Sequence, residues 1–319
     1  MATVLVTTRS FSTGSSDVER RLVDAGFLVA RGPATHELEA LTPLLTETVA
    51  WVAGTGPVTA EHLDRAPGLR VVARYGVGVE AVDLDAARAR GIVVTNTPGA
   101  NTDAVADHTV ALLLAALRGV VAGDRRVRAG DWRVERTREV ASLRVGLIGV
   151  GRIGRAVAQR LAGFAAVVFG VDPHLRDEEL AALGIMPGGD AIPAGVDVVC
   201  LHAPGTAVIV NAEWIARARP GLILVNTARG SLVDEQAVAE GLRQGYLAAY
   251  ATDTLAVEGG VATSPLLAPD IADRVVVTPH SAAQTVEAVD RMGSMAVDSV
   301  LDVLAGRVPR DVVEGSGSV

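Results

Sequence analysis

Val145-Gly146-Leu147-Ile148-Gly149-Val150-Gly151-Arg152-Ile153-Gly154 reads as an apolar strand that runs straight into a glycine-rich turn, and Arg155 to Leu161 after it has the spacing of a helix. In that setting each glycine has a physical task. The first permits a tight turn, the second lets the backbone approach a pyrophosphate, and the third allows the helix to pack closely, while the helix N-terminus supplies N–H donors and positive potential. Without the flanking strand and helix the pattern would be an ordinary turn. Here it predicts a dinucleotide site at Gly149, Gly151, Arg152, Ile153 and Gly154. The next apolar run, Ala166 to Val171, ends at Asp172, whose carboxylate would accept both ribose hydroxyls and repel a 2′-phosphate. Asp172 also suits a turn before Pro173, and Arg176 stands close by, but the position favours NAD over NADP.

Outward from this motif, strand-like runs continue at Asp197 to His202, Leu222 to Asn226, Ala248 to Asp253 and Val275 to Thr278. With the first two they make six, enough for a doubly wound sheet. Ahead of the motif a second alternation is visible, with strand-like Val4 to Thr8, Val49 to Ala53 and Leu69 to Arg74. Helical patterns lie between and after them, at Ser16 to Ala25, Thr59 to Ala66 and Asp83 to Arg90. A long apolar helix from about Asp103 to Val121 follows the turn-rich Asn96 to Asn101 and is expected to link the two halves. The last helical stretch, Thr285 to Leu304, has no strand after it and should pack back on the N-terminal half. The expected fold is therefore α/β, with two Rossmann-like doubly wound domains. A dinucleotide-binding domain (101–283) is inserted into a discontinuous flavodoxin-like substrate domain (1–100 and 284–310), and a polar tail (311–319) is expected to be disordered.

A chain of 319 residues, 49% of them apolar, can fill two cores. With 29 basic and 37 acidic residues the net charge is −8, and no basic run is long enough to act as a nucleic-acid footprint. No nucleic-acid partner is expected. Cys200, alone in the sequence, sits in the apolar run Val198 to Leu201 and reads as a small core residue. No stretch has the length and apolarity of a membrane span, which points to a cytoplasmic protein without a membrane partner. His36, His62, His108 and His174 show no metal-ligand spacing, so no metal is expected.

Three polar residues just past strand ends carry the chemistry: Arg229 in Asn226-Thr-Ala-Arg-Gly230, Glu258 beyond Asp253, and His280 in Thr278-Pro-His280. Ligands of open α/β sheets bind along the carboxyl edge, so loops distant in sequence can converge there. Singly, each is as good a solvated loop charge; together behind a dinucleotide turn they read as a site. At this point the sequence resembles the D-isomer-specific 2-hydroxyacid dehydrogenases, nearest their phosphoglycerate dehydrogenase-like members. The resemblance is carried by Arg74 to Glu80 with Asp83, Asn96 to Thr109, the glycine motif, Asn226 to Gly230 with Val233 to Glu235, and Thr278 to His280.

The resemblance implies an NAD(H)-dependent exchange of hydride at C2 of a small 2-hydroxy or 2-oxo acid. His280 would be the general acid, Glu258 would keep it protonated, and Arg229 would grip the substrate carboxylate with a fork that cannot lose its proton. Arg74 and the amides of Val77 and Gly78 would complete the substrate site. Arg74 has an equally good role bracing the Tyr75 to Val79 loop. Asp253, Thr227, Ala228 and Ala282 are assigned to the nicotinamide side, and His202, Pro204 and Thr206 to the rim of the adenosine pocket. His202 alone would more often be a satisfied structural histidine. The chain has Ala53-Gly54 where phosphoglycerate enzymes tend to carry an arginine, which removes one partner for a phosphate. It also lacks the usual Glu-Pro pair in Asp253 to Gly260, so that loop is expected to be mobile. A homodimer is expected from the apolar helix after Asp103 and from the arm with Trp132, Arg133 and Arg136. The alternative class is a non-metabolic NAD(H)-sensing protein of the corepressor type.

Overall fold

The computed structural model describes residues 1–192, 194–258 and 263–317, which form two compact units, Met1–Asn101 with Ala283–Val319, and Thr102–Ala282. In the first unit, β1 (Thr3–Val6), β2 (Leu28–Arg31), β3 (Thr48–Ala53), β4 (Val71–Arg74) and β5 (Val93–Thr95) pair in parallel in the order β2-β1-β3-β4-β5. This is the flavodoxin-like order, with its switch point between β1 and β3. The strands within the sheet are covered on both faces and so read as unbroken apolar runs, whereas β2 at the edge is half exposed. Helices α1 (Val18–Asp24), α2 (Leu38–Leu45), α3 (Ala60–Asp64) and α4 (Leu84–Ala89) join them, with Asp17 and Asp83 capping α1 and α4 by accepting the amides of Arg20 and Ala86.

Beside the switch point, Thr7 Oγ1 accepts the indole N–H of Trp51 (2.9 Å) and the amide of Gly54 (3.3 Å), so its own proton goes to Nε2 of His36 (2.6 Å). His36 Nδ1 then donates to the Pro57 carbonyl (3.0 Å), and burial pulls this imidazole down to about 4. A neutral histidine thus locks the loop after β3.

In the second unit, α5 (Thr102–Leu117) and α6 (Val120–Arg128) precede β6 (Arg144–Ile148), α7 (Arg152–Ala162), β7 (Val167–Val171), α8 (Asp177–Ala182) and β8 (Met186–Pro187). Then follow β9 (Val198–Leu201), α9 (Ala212–Arg217), β10 (Leu222–Asn226), α10 (Glu235–Gln244), β11 (Leu247–Thr252) and β12 (Val275–Val277). The parallel order β12-β11-β10-β9-β6-β7-β8 is the dinucleotide-binding arrangement with one strand added beyond its last. Cys200 is fully buried in β9, and desolvation pushes its thiol up to about 12, which makes it inert.

Three expectations need correcting. The helix expected to reach Val121 stops at Leu117, because Gly119 takes a left-handed conformation (φ 59°) and the chain bends by 55° into α6. The apolar residues of α5 are largely internal: Val105, Val110, Leu112, Leu113 and Leu117 are buried, and the helix packs on α7, β10 and β11. Most of its apolar surface therefore belongs to the core, and apolar residues more fully uncovered lie further on, in α6 and the arm. The polar tail is not loose over 311–317. The Asn96 amide donates to the Asp311 carbonyl, Val312 bridges Thr95, and the amides of Val313 and Gly317 donate to Val94 and Ile92, so this segment covers the free edge of β5. As expected of its pattern, the final helix, α11 (Val286–Leu304, capped by Thr285), packs on β3, β4 and α1 of the first unit. A Cβ on Gly293 would lie 2.8 Å from Val18, and this close approach explains a glycine in mid-helix. No single helix among the described residues is long and apolar enough to cross a membrane.

Candidate active site in the second unit

At the β6/β9 switch point the glycine turn closes over the end of β9. Gly149 has φ 93°, and a Cβ there would sit 2.6 Å from the His202 carbonyl carbon; one on Gly154 would sit 2.3 Å from the Gly149 oxygen. Both glycines are required by the protein's own packing. Gly151 differs, since a Cβ there would meet nothing within 4 Å. Its lack of a side chain leaves open space at the N-terminus of α7, where the first-turn amides of Arg152 and Ile153 have no partner within the helix. That is what close approach by a pyrophosphate requires. The Ile153 side chain packs against the core and the Arg152 side chain is exposed.

Around the turn, Gly149, Gly151, Arg155, Asp172, His202 and Pro204 line a cavity of about 280 Å³. Asp172 Oδ2 accepts the Val150 amide (2.8 Å) and Oδ1 the His174 amide (2.9 Å), which fixes the carboxylate and leaves a lone pair on each oxygen. His202 is not the satisfied structural histidine expected of its place in the chain. Its Nε2 is buried without a hydrogen-bond partner, and desolvation lowers its pKa to about 4, so the ring stays neutral. Thr206 is exposed and does not line the cavity. A larger hollow of about 500 Å³ lies along α7, from Arg152 and Arg155 to Gln159, Ala162 and Leu183.

The ends of β10, β11 and β12 hold the other polar residues. His280 Nδ1 and Glu258 Oε2 are 2.8 Å apart. The hydrogen bond to Glu258 raises the pKa of His280, against desolvation, with the charges of Glu258 and Asp253 acting in the same direction and that of Arg229 in the opposite one. Arg229 donates to the Ala228 carbonyl (2.9 Å), and the Asn226 side chain ties the turn by accepting the Ala228 amide and donating to the Arg229 carbonyl. A Cβ on Gly230 would lie 2.2 Å from the Leu255 carbonyl carbon, so the loop leading to Glu258 rests directly on this glycine. Gly259 and Gly260, part of the segment expected to be mobile, lie outside the described residues.

Asp253, almost fully buried, accepts Thr278 Oγ1 (2.6 Å) and the amides of Ser281 (2.9 Å) and Ala282 (2.8 Å). Burial alone would push its pKa up, but hydrogen bonds from His108, Thr278 and the two amides outweigh it and hold the carboxylate below its usual range. His108 and Thr278 were not among the residues marked from sequence. Both lie in stretches that carry the family resemblance, Asn96 to Thr109 and Thr278 to His280, but nothing local to either residue gave it a role. One turn of α5 reaches two strand ends, because Thr109 also meets Thr227 (2.7 Å).

In the first unit, the Tyr75 to Val79 loop is held by its carbonyls. Arg74, buried, donates from Nε to Gly78 (3.0 Å) and from Nη1 to Ala53 (2.9 Å), and Asn96 donates to Val77 (2.8 Å). Arg74 is therefore seen in its bracing role.

The second unit is a dinucleotide-binding domain by its strand order and its glycine turn. Residues 110–282 match the NAD binding domain of the D-isomer specific 2-hydroxyacid dehydrogenases. Among relatives, the chain is 41% identical over 308 residues to D-3-phosphoglycerate dehydrogenase of Mycobacterium tuberculosis, covering 95% of this chain and 56% of that protein. It is 35% identical to glyoxylate reductase of Korarchaeum cryptofilum, covering 87% of this chain and 83% of the relative. Among solved structures, the TT0316 protein from Thermus thermophilus superposes with a TM-score of 0.83 at 36% identity, covering 98% of this chain and 99% of that one. The chain belongs to the D-isomer specific 2-hydroxyacid dehydrogenase family. It spans about half the length of the phosphoglycerate dehydrogenases it matches.

Proposed function

We propose that the protein is an NAD(H)-dependent D-2-hydroxyacid dehydrogenase that interconverts a small 2-oxo acid and its 2-hydroxy acid, with His280 as general acid and base. The carrying observation is the His280–Glu258 pair at the carboxyl ends of the strands, in the same unit as a glycine turn shaped for a pyrophosphate. Bound nicotinamide supplies or accepts the hydride. As negative charge grows on the C2 oxygen during reduction, His280 gives it the proton, so that 2-oxo acid, NADH and one proton become 2-hydroxy acid and NAD⁺. Glu258 then holds a neutral imidazole in place, with its proton on Nδ1, until Nε2 is reprotonated. Arg229 grips the substrate carboxylate. Asp172 selects NAD by accepting ribose hydroxyls where a 2′-phosphate would be repelled. Thr227, Ala228, Asp253 and Ala282 frame the nicotinamide side, with His202 and Pro204 toward the adenosine.

The protein is further read as a homodimer. Val120, Val121 and Val127 on α6 and Trp132 and Val134 on the arm beyond are among its exposed apolar residues and follow one another closely in sequence, and these replace the buried face of α5 as the grounds for it.

The test is NADH consumption with a panel of 2-oxo acids that differ at C3. Turnover of at least one is expected, and His280→Ala should reduce it by ~10²- to 10⁴-fold with NADH affinity nearly intact. No turnover across the panel, or an active His280→Ala, rejects the assignment.

A further inference from the structure

His280 stands in a backbone conformation that disfavours it. Its φ is 51°, in the left-handed region that a side chain with a Cβ rarely occupies, and such a residue persists only where its surroundings over-determine it. Asp253 provides most of that restraint: its carbonyl accepts the His280 amide (2.9 Å), and its carboxylate accepts the next two amides, of Ser281 and Ala282. The carboxylate is in turn bound by Thr278 Oγ1 at 2.6 Å, and Thr278 Oγ1 lies 2.9 Å from His108 Nε2. The proton positions follow from chemistry. An ionised carboxylate can only accept, so Thr278 gives its hydroxyl proton to Asp253 and must accept at its oxygen from His108. The His108 proton therefore sits on Nε2, and the same nitrogen lies 3.4 Å from Asp253 Oδ1.

We propose that His108 is a positioning residue: from α5, through Thr278 and Asp253, it holds the 280–282 turn that presents His280 to Glu258. This rests on the reading of His280 as the proton donor. α5 packs against β10, β11 and β12, so the histidine is anchored on a core helix and is not itself part of the turn. The charged groups acting on His280 are Glu258, Asp253 and Arg229, and His108 acts on the second of them. If the turn slackens, the Nδ1 bond to Glu258 weakens, and His280 loses the interaction that keeps its proton on at higher pH.

The experiment compares His108→Ala, His108→Gln and Thr278→Val in the full chain. His108→Gln offers an amide N–H near the place of Nε2 and should retain function. His108→Ala and Thr278→Val should each lower kcat about tenfold with NADH affinity changed less than about twofold, and should move the alkaline limb of reduction to lower pH. Because the two residues act along one path, the double variant should be no worse than the worse single variant. A separate readout needs no turnover: the NMR titration of the His280 ring should shift to lower pH in His108→Ala and stay near wild type in His108→Gln. An unmoved titration, or fully additive losses, overturns the proposal. If wild type turns over no 2-oxo acid while the titration shifts as stated, the link from His108 to His280 stands and the reading of His280 as a catalyst fails.

Discussion

At His280 two effects oppose each other, and their balance fixes the pH range of the proposed reaction. Desolvation disfavours the imidazolium, but the hydrogen bond to Glu258 is larger, so the folded-state pKa is raised. A raised value means that the proton is fully held below the ordinary imidazole range and is lost only as pH climbs through the higher, folded value. Reduction, which needs the protonated ring, should hold through neutrality and decline on the alkaline side, and oxidation should show the reverse. Glu258→Gln removes the charge and should move the alkaline limb of reduction to lower pH in rate profiles; a limb that stays put would show that Glu258 is not the partner. Arg74 invites a different expectation. With Nε on Gly78 and Nη1 on Ala53, it braces the loop of Val77 and Gly78, so Arg74→Ala should depress kcat/KM for mono- and dianionic 2-oxo acids alike. Loss confined to dianions would show that it serves a second anionic group instead. Arg229, Glu258 and His280 could be marked in the sequence because they occur together past strand-like runs behind the glycine turn and in the order that the family resemblance implies. His108 was not, since its meaning depends on contacts with Thr278 and Asp253, far along the chain, which no local pattern encodes.

The glycine turn shows how far an element can be divided into what the fold needs and what a ligand needs. Gly149 and Gly154 are fixed by contacts within the protein, whereas Gly151 borders open space. Gly154→Ala forces a methyl group against the Gly149 carbonyl and should cost ~1–3 kcal/mol, seen as a Tm lower by several degrees. Gly151→Ala should leave the Tm close to wild type while weakening NADH binding measured by fluorescence titration. If both variants lost stability equally, the cleft at Gly151 would be a packing feature and not a ligand cradle. Strands buried on both faces, such as β4, β9 and β10, were readable as apolar runs, and the α/β rhythm followed from them. The edge strands β2 and β5 and the two-residue β8 were missed, because a half-exposed or very short strand carries little period of its own. The ending 311–317 was misread for a related reason. Its order comes from backbone hydrogen bonds to β5, which polar and glycine residues make as well as any others.

For the whole molecule, the arm after α6 is where the sequence reading and the structure combine. Sequence apolarity pointed to α5 as a contact surface, yet burial assigns that helix to the core, and the uncovered side chains lie further on. Trp132 is 77% exposed and Val134 94%, with Val120, Val121 and Val127 of α6 exposed beside them in sequence. The arm is nevertheless anchored. Arg126 pairs with Glu135, Arg118 donates to Thr137 (2.8 Å), and Arg138 reaches the buried Asp197 (2.5 Å). An anchored segment that leaves a tryptophan in water gains most by burying it against a partner, and a second copy offers the same surface in return. Sedimentation at micromolar concentration should therefore report a dimer. Trp132→Ala combined with Val134→Ser should shift it toward monomer without lowering NADH affinity, because neither residue borders the glycine cleft. High salt should change the equilibrium little, as the anchoring ion pairs lie within one chain and the expected contact is apolar. A wild-type monomer under these conditions, or a dimer indifferent to both substitutions, would remove the arm as the contact.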